Sequence, residues 1–195
     1  MRACCATALL AASLLAGCGG NGSGHDGDRL AAPQTVPGHA LAPDFALRNV
    51  DGRMVRLSQF RGRVVLLTFV YSHCPDVCPL IVENLKVARR EAAARRAQIV
   101  AVSVDPRGDT PRAVRAFLRA HRMTGRMEYL LGSRRELARV WRRYGIAVQA
   151  TPEDREVGHS GSVVGITATG RRRALYPPTF RPEWIVHDVP LLAAQ

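Results

Sequence analysis

Lysine is almost absent from this 195-residue chain: Lys86 is the only one, and the remaining positive charge is arginine. Cysteine is scarce too, confined to positions 4, 5, 18, 74 and 78. The N-terminal apolar stretch, Ala6 to Ala16, falls short of the about 20 residues that cross a bilayer, which excludes it as a spanning helix. Its short positive start at Arg2 and its length read instead as a secretory signal.

The end of that signal, Leu15-Ala16-Gly17-Cys18, resembles the lipobox of bacterial lipoproteins. The resemblance implies removal of residues 1–17 and lipid attached to the Cys18 sulfur. An ordinary secretory signal with an incidental cysteine is the alternative. Acyl chains contribute about 0.8 kcal/mol per buried CH₂, so a multiply acylated Cys18 would hold the chain to the extracytoplasmic, periplasmic face of a membrane. A basic balance often points to nucleic acid, and the formal charge is +12. An exported lipoprotein meets none, so nucleic acid is excluded as a partner.

Export also decides what the thiols are for. Cys4 and Cys5 leave with the signal and Cys18 carries lipid, so Cys74 and Cys78 are the free thiols that remain. They can pair with each other, with a metal or with a partner molecule. Residues 18–39 read as the lipidated cysteine and a flexible tether, rich in Gly and Pro and without an apolar period. His25, Asp26, Asp28 and His39 offer at most a weak metal site within a solvated linker.

One domain is expected over 40–195. Asp51-Gly52 marks the turn of an N-terminal β-hairpin. Val64 to Tyr71 is apolar on both faces, as a central strand should be. Pro79 to Ala97 has helical spacing, with Ile81, Leu85, Ala88 and Ala92 on one face. Its basic end, "RREAAARRA" (89–97), is either a solvated face or one that meets anionic lipid or an acidic partner. "QIVAVSVD" (98–105) is a second buried strand, Thr110-Pro111 opens a helix to about Ala120, and 128–132 is strand-like. Ser133 and Glu136 form a capping box for a helix to about Arg143. Strands at 162–167 and 173–177 follow, then a last helix ended by Pro190. This is an α/β pattern with right-handed crossovers, in which sites collect beyond the carboxyl ends of parallel strands. Cys74 and Cys78 follow one such end, and Asp105, Pro106 and Asp109 the next.

Cys74 falls at a helix N-terminus and Cys78 in its first turn, where exposed N–H groups and the helix dipole favour a thiolate. That serves disulfide exchange and metal capture alike. A purely structural disulfide would close a tiny loop and stabilise little.

"FVYSHCPDVCP", "VSVDPRGDTP" and "GHSGSVVGI" resemble, in order, three signature segments of the Sco (SenC-type) family. The resemblance covers about residues 40–192. It implies a thioredoxin-like fold, a central mixed β-sheet flanked by helices, in a membrane-tethered protein that delivers copper during cytochrome c oxidase assembly. It also implies copper ligands at Cys74, Cys78 and His159, with Cys74 and Cys78 carrying any redox catalysis. Two thiolates suit soft Cu(I), and an added imidazole lets the set hold Cu(II). If the strand after His159 runs antiparallel to Val64–Tyr71, that histidine reaches the cysteine edge. His73 is expected to point away, and His121 and His187 have no site context. Three ligands fall short of a closed zinc site. The family's acidic residue before the late histidine is replaced by Gly158, and "VVGITATG" lacks its acidic and aromatic residues, so a candidate partner for orienting the His159 ring is absent.

Two function classes follow. One is a metallochaperone whose partner is the copper-site subunit of cytochrome c oxidase or another exported cuproprotein. The other is an enzyme, a thiol–disulfide oxidoreductase with a cysteine-bearing exchange partner. A peroxiredoxin-type peroxidase is disfavoured because its Pro-x-x-x-Thr-x-x-Cys signature is missing.

Overall fold

A computed structural model describes residues 29–36, 40–149, 158, 159 and 161–195. The signal, Cys18, His25, Asp26, Asp28 and His39 lie outside the described residues. The elements in chain order are β1 (Gln34–Thr35), β2 (Ala46–Asn49), β3 (Met54–Arg56), β4 (Val65–Val70), α1 (Val77–Ala88), α2 (Ala92–Arg95) and β5 (Gln98–Ser103). Then come α3 (Pro111–Ala120), β6 (Met127–Leu131), α4 (Arg134–Tyr144), β7 (Val148–Gln149), β8 (Gly158–His159), β9 (Val163–Ile166), β10 (Arg172–Tyr176) and α5 (Pro182–Ala193).

Eight strands form one mixed sheet in the order β1-β10-β9-β4-β5-β6-β2-β3. β4, β5 and β6 are parallel, and β9 runs antiparallel to β4. The all-apolar reading of β4 is explained by its place: every one of its residues is buried. Its Phe69 packs on Tyr144 of α4, while α1 and α2 each pack on α5. The β2–β3 hairpin closes the edge beyond β6. Among the described residues β7 and β8 form a separate two-stranded sheet, with Val148 opposite His159. No helix among the described residues is long and apolar enough to cross a membrane.

Local signals explain the helix starts. Thr110 Oγ1 accepts from Ala113 N–H at 3.2 Å, and Ser133 exchanges bonds with Glu136 as a capping box.

Three expectations need correction. The helix expected over Pro79–Ala97 breaks in two at Arg89–Glu91, although no Gly or Pro interrupts it. The chain has to return to start β5 beside β4, where Gln98 N–H donates to Val64 O at 2.8 Å. Arg89 stitches the turn by donating to Ala97 O at 3.1 Å. Topology thus overrides local propensity. Pro190 does not end the last helix but lies inside it. The ring is exposed, only the last turn follows it, and buried Leu192 holds that turn by accepting from Ala168 N–H at 3.2 Å. The missing N–H therefore costs less than in a helix centre.

The third concerns the tether: residues 29–36 pack on the domain. β1 pairs with β10, and Leu30 and Ala32 are buried. The cause is Asp188, a fully buried carboxylate that needs donors. It accepts from Ala31 N–H at 2.6 Å, Ala32 N–H at 2.9 Å and Tyr176 Oη at 2.8 Å.

Candidate functional site

β4 ends at Val70, and a tight turn carries the chain into α1. Cys74 N–H donates to Tyr71 O at 3.3 Å within that turn. The helix begins at Val77 with Asp76 at the cap position, yet the Asp76 side chain makes no cap hydrogen bond. The Cys74 sulfur takes that role, accepting from Cys78 N–H at 3.3 Å. Backbone donors that a helix start leaves unpaired are thus spent on a sulfur.

The two thiols become chemically unequal. Cys74 is half-buried and Cys78 fully buried. A hydrogen bond from the Cys78 thiol, opposed by partial burial and aided by the N–H groups of Asp76 and Cys78, lowers Cys74 to about 5. Cys78 is pushed well above the usual thiol range by its bond to Cys74 and by burial. At neutral pH Cys74 is a thiolate and Cys78 holds the shared proton. Such a pair can attack a disulfide through Cys74, and it can bind a soft metal once Cys78 releases its proton.

Asp109 braces this edge from the loop between β5 and α3. It is buried and accepts from Ser72 N–H at 2.7 Å, Ser103 Oγ at 2.6 Å and Tyr129 Oη at 2.8 Å. Burial raises its pKa, and the hydrogen bonds from Ser103, Ser72 and Tyr129 oppose that. The Ser72 bond fixes the backbone two residues before Cys74. The sequence placed Asp109 at this edge; Ser72 and Ser103 lie within the first two signature segments without any role being legible there, and Tyr129 lies outside all three. An Asp facing two hydroxyl-bearing strands was the available signal.

Asp105 turns back on its own loop, accepting from Arg107 N–H and Gly108 N–H. A Cβ at Gly108 would lie 2.1 Å from Asp105 Oδ2 and 3.3 Å from His73 Nδ1, so a side chain there would displace the Asp105 carboxylate. His73 Nδ1 lies 3.1 Å from Ser72 Oγ. His121 pairs with Glu83 at 3.0 Å and packs at a tilt against Phe117, and His187 pairs with Asp188 at 2.8 Å.

The chain that follows His159 arrives at the same edge. β9 is antiparallel to β4, with Val163 opposite Thr68, and Thr68 Oγ1 donates to Ser162 O at 3.0 Å. A Cβ at Gly161 would lie 2.9 Å from Val77 Cγ1 and 3.4 Å from Ile81 Cδ1, so the backbone two residues past His159 touches the start of α1. The His159 side chain itself lies outside what is described. Among the described residues, no group of three His, Cys, Asp or Glu gathers to hold a metal.

A dithiol beyond a parallel strand, at the head of the next helix of a mixed sheet, defines a thioredoxin-like protein. The chain belongs to the SCO1/SenC family, whose profile matches residues 33–193. It is 31% identical over 154 residues to the mitochondrial SCO2 homolog of Bos taurus, covering 75% of this chain and 57% of that protein. It spans 50–60% of the length of the mammalian SCO2 homologs it matches. Among solved structures it resembles a SCO1/SenC family lipoprotein from Bacillus anthracis, with a TM-score of 0.72 and 25% identity, covering 84% of this chain and 99% of that one. It also resembles copper-bound ScoI of Bradyrhizobium japonicum, with a TM-score of 0.64 and 26% identity, covering 77% of this chain and 98% of that one.

Proposed function

We propose that this protein carries one copper ion on Cys74, Cys78 and His159 and delivers it to the copper-site subunit of cytochrome c oxidase or another exported cuproprotein. In this reading a lipid on Cys18 holds it to the periplasmic face of a membrane. The observation that carries the reading is the sulfur pair at the head of α1, with Cys74 Sγ 3.3 Å from Cys78 N. Two thiolates form a soft donor set that fits copper. The third ligand is assigned to His159 because the chain reaches this edge through Ser162 and Gly161. Copper bound to the Bradyrhizobium relative supports the choice of ion, and the lipoprotein relative supports the anchor.

One observation favours a second reading. Two thiols with opposite pKa shifts are what thiol–disulfide exchange needs, since one attacks and the other resolves. That role needs Cys74 and Cys78 but not His159.

The test is assembly of the oxidase copper site in cells that carry the chain with Cys74→Ser, Cys78→Ser or His159→Ala. The chaperone reading expects all three to lose copper incorporation. Full incorporation with His159→Ala and loss with both cysteine variants favours the exchange reading. Fatty-acid labelling tests the anchor, since Cys18→Ala should abolish incorporation.

A further inference from the structure

At the opposite end of the sheet from the cysteines lies a pocket of about 370 Å³ lined by Lys86, Arg89, Arg90, Arg95, Met123 and Arg126. Its walls are the last turn of α1, the Arg89–Glu91 turn, α2 and the turn before β6, so it opens where β5 and β6 begin. The cysteine edge is where β4 ends. Five of the six lining residues are cations and none is an anion.

Among the described residues, one of these five cations meets a carboxylate. Lys86 pairs with Glu83, whereas Arg89, Arg90, Arg95 and Arg126 make no ion pair among the described residues. Arg89 and Arg95 donate to backbone carbonyls, of Ala97 and Arg90. Arg89 is half-buried, and its pKa is lowered first by burial and then by the charges of Arg126, Arg63 and Arg95. Like charges held this close call for an external anion. Guanidinium groups match phosphate oxygens in a bidentate fork. Arg63, Arg90, Arg95 and Arg126 are exposed, so the charge spreads beyond the pocket mouth. That spread suits a surface bearing many phosphates better than one small free anion.

We propose that this pocket binds the phosphate of an anionic lipid headgroup and seats the domain on a membrane with its cysteine edge turned away. The inference is independent of copper and of lipid on Cys18. It gives the basic run at 89–97 a role that the thiol chemistry does not use.

The experiment uses the full chain carrying Cys18→Ala, so that no protein-linked lipid contributes. Co-sedimentation is measured with phosphatidylcholine vesicles and with vesicles that also contain phosphatidylglycerol. The triple variant Arg89→Gln/Arg95→Gln/Arg126→Gln is compared with Arg134→Gln/Arg135→Gln/Arg139→Gln, which removes the same charge from exposed positions on α4. Each basic residue near an anionic surface changes partitioning about fivefold, so the pocket triple should lose on the order of 100-fold. The α4 triple should stay within a few-fold of the parent. If burial of Arg89 makes the triple fold poorly, the exposed pair Arg95→Gln/Arg126→Gln carries the test, with a loss of more than tenfold expected. Equal losses in pocket and α4 variants overturn the proposal, as does indifference to phosphatidylglycerol. Pocket-dependent binding of inorganic pyrophosphate without vesicle binding also overturns it, in favour of a soluble phosphate ligand.

Discussion

Cys74 and Cys78 show how one backbone turn separates two identical side chains. The sulfur that caps α1 is stabilised as a thiolate, and the one inside the helix is not. A thiol whose folded pKa is lowered contributes stability above its unfolded value, about 8.5, and loses it as pH falls through the folded value. For Cys74 that value is about 5. The reduced chain should therefore gain stability as pH rises from 5 toward 8, a gain moderated by solvent because Cys74 is only half-buried. Urea midpoints across that range, compared with Cys74→Ser, check this: the parent's rise should exceed the variant's. Alkylation of Cys74 should likewise proceed freely at pH 7 while Cys78 resists. The sequence made the residue types and the helix-start position legible. It did not reveal which sulfur would be buried, because that depends on how α1 docks on the sheet.

Elements whose ends carry short-range signals were legible. The hairpin turn, the Thr110 and Ser133 caps and the apolar β4 all match what the sequence implies. Elements whose limits are set by distant parts of the chain were not. The break at Arg89–Glu91 serves the return to β5, and β1 exists because β10 and Asp188 lie beneath it. Gly161 is a third case, since its need for no side chain comes from Val77 and Pro178 across the site. Gly161→Ala should cost about 1–3 kcal/mol through overpacking against α1. A chemical denaturation midpoint close to the parent's would show that the contact relaxes freely.

Across the whole molecule the sheet carries the dithiol at one end and the arginine cluster at the other. Its N-terminal segment is held along the β10 edge by Asp188. Asp188→Ala leaves the Ala31 and Ala32 N–H groups and the Tyr176 hydroxyl without their acceptor. Limited proteolysis should then cut within residues 29–36 at least tenfold faster than in the parent, before the rest of the domain unfolds. Cutting at the parent rate would mean that strand pairing alone retains the segment.

The proposed copper site joins two thiolates at the head of α1 to a histidine just before β9. Chelator competition on the reduced chain measures it directly, done separately for Cu(I) and Cu(II), with thiolate-to-Cu(II) absorption as a second readout. One copper per chain is expected. Either cysteine variant should lose tight binding, because one thiolate and one imidazole make a poor site. His159→Ala should weaken Cu(II) far more than Cu(I), since two thiolates alone hold Cu(I) in linear geometry. Parent-like Cu(II) affinity and absorption in His159→Ala would contradict the account and leave the exchange reading of the dithiol in its place.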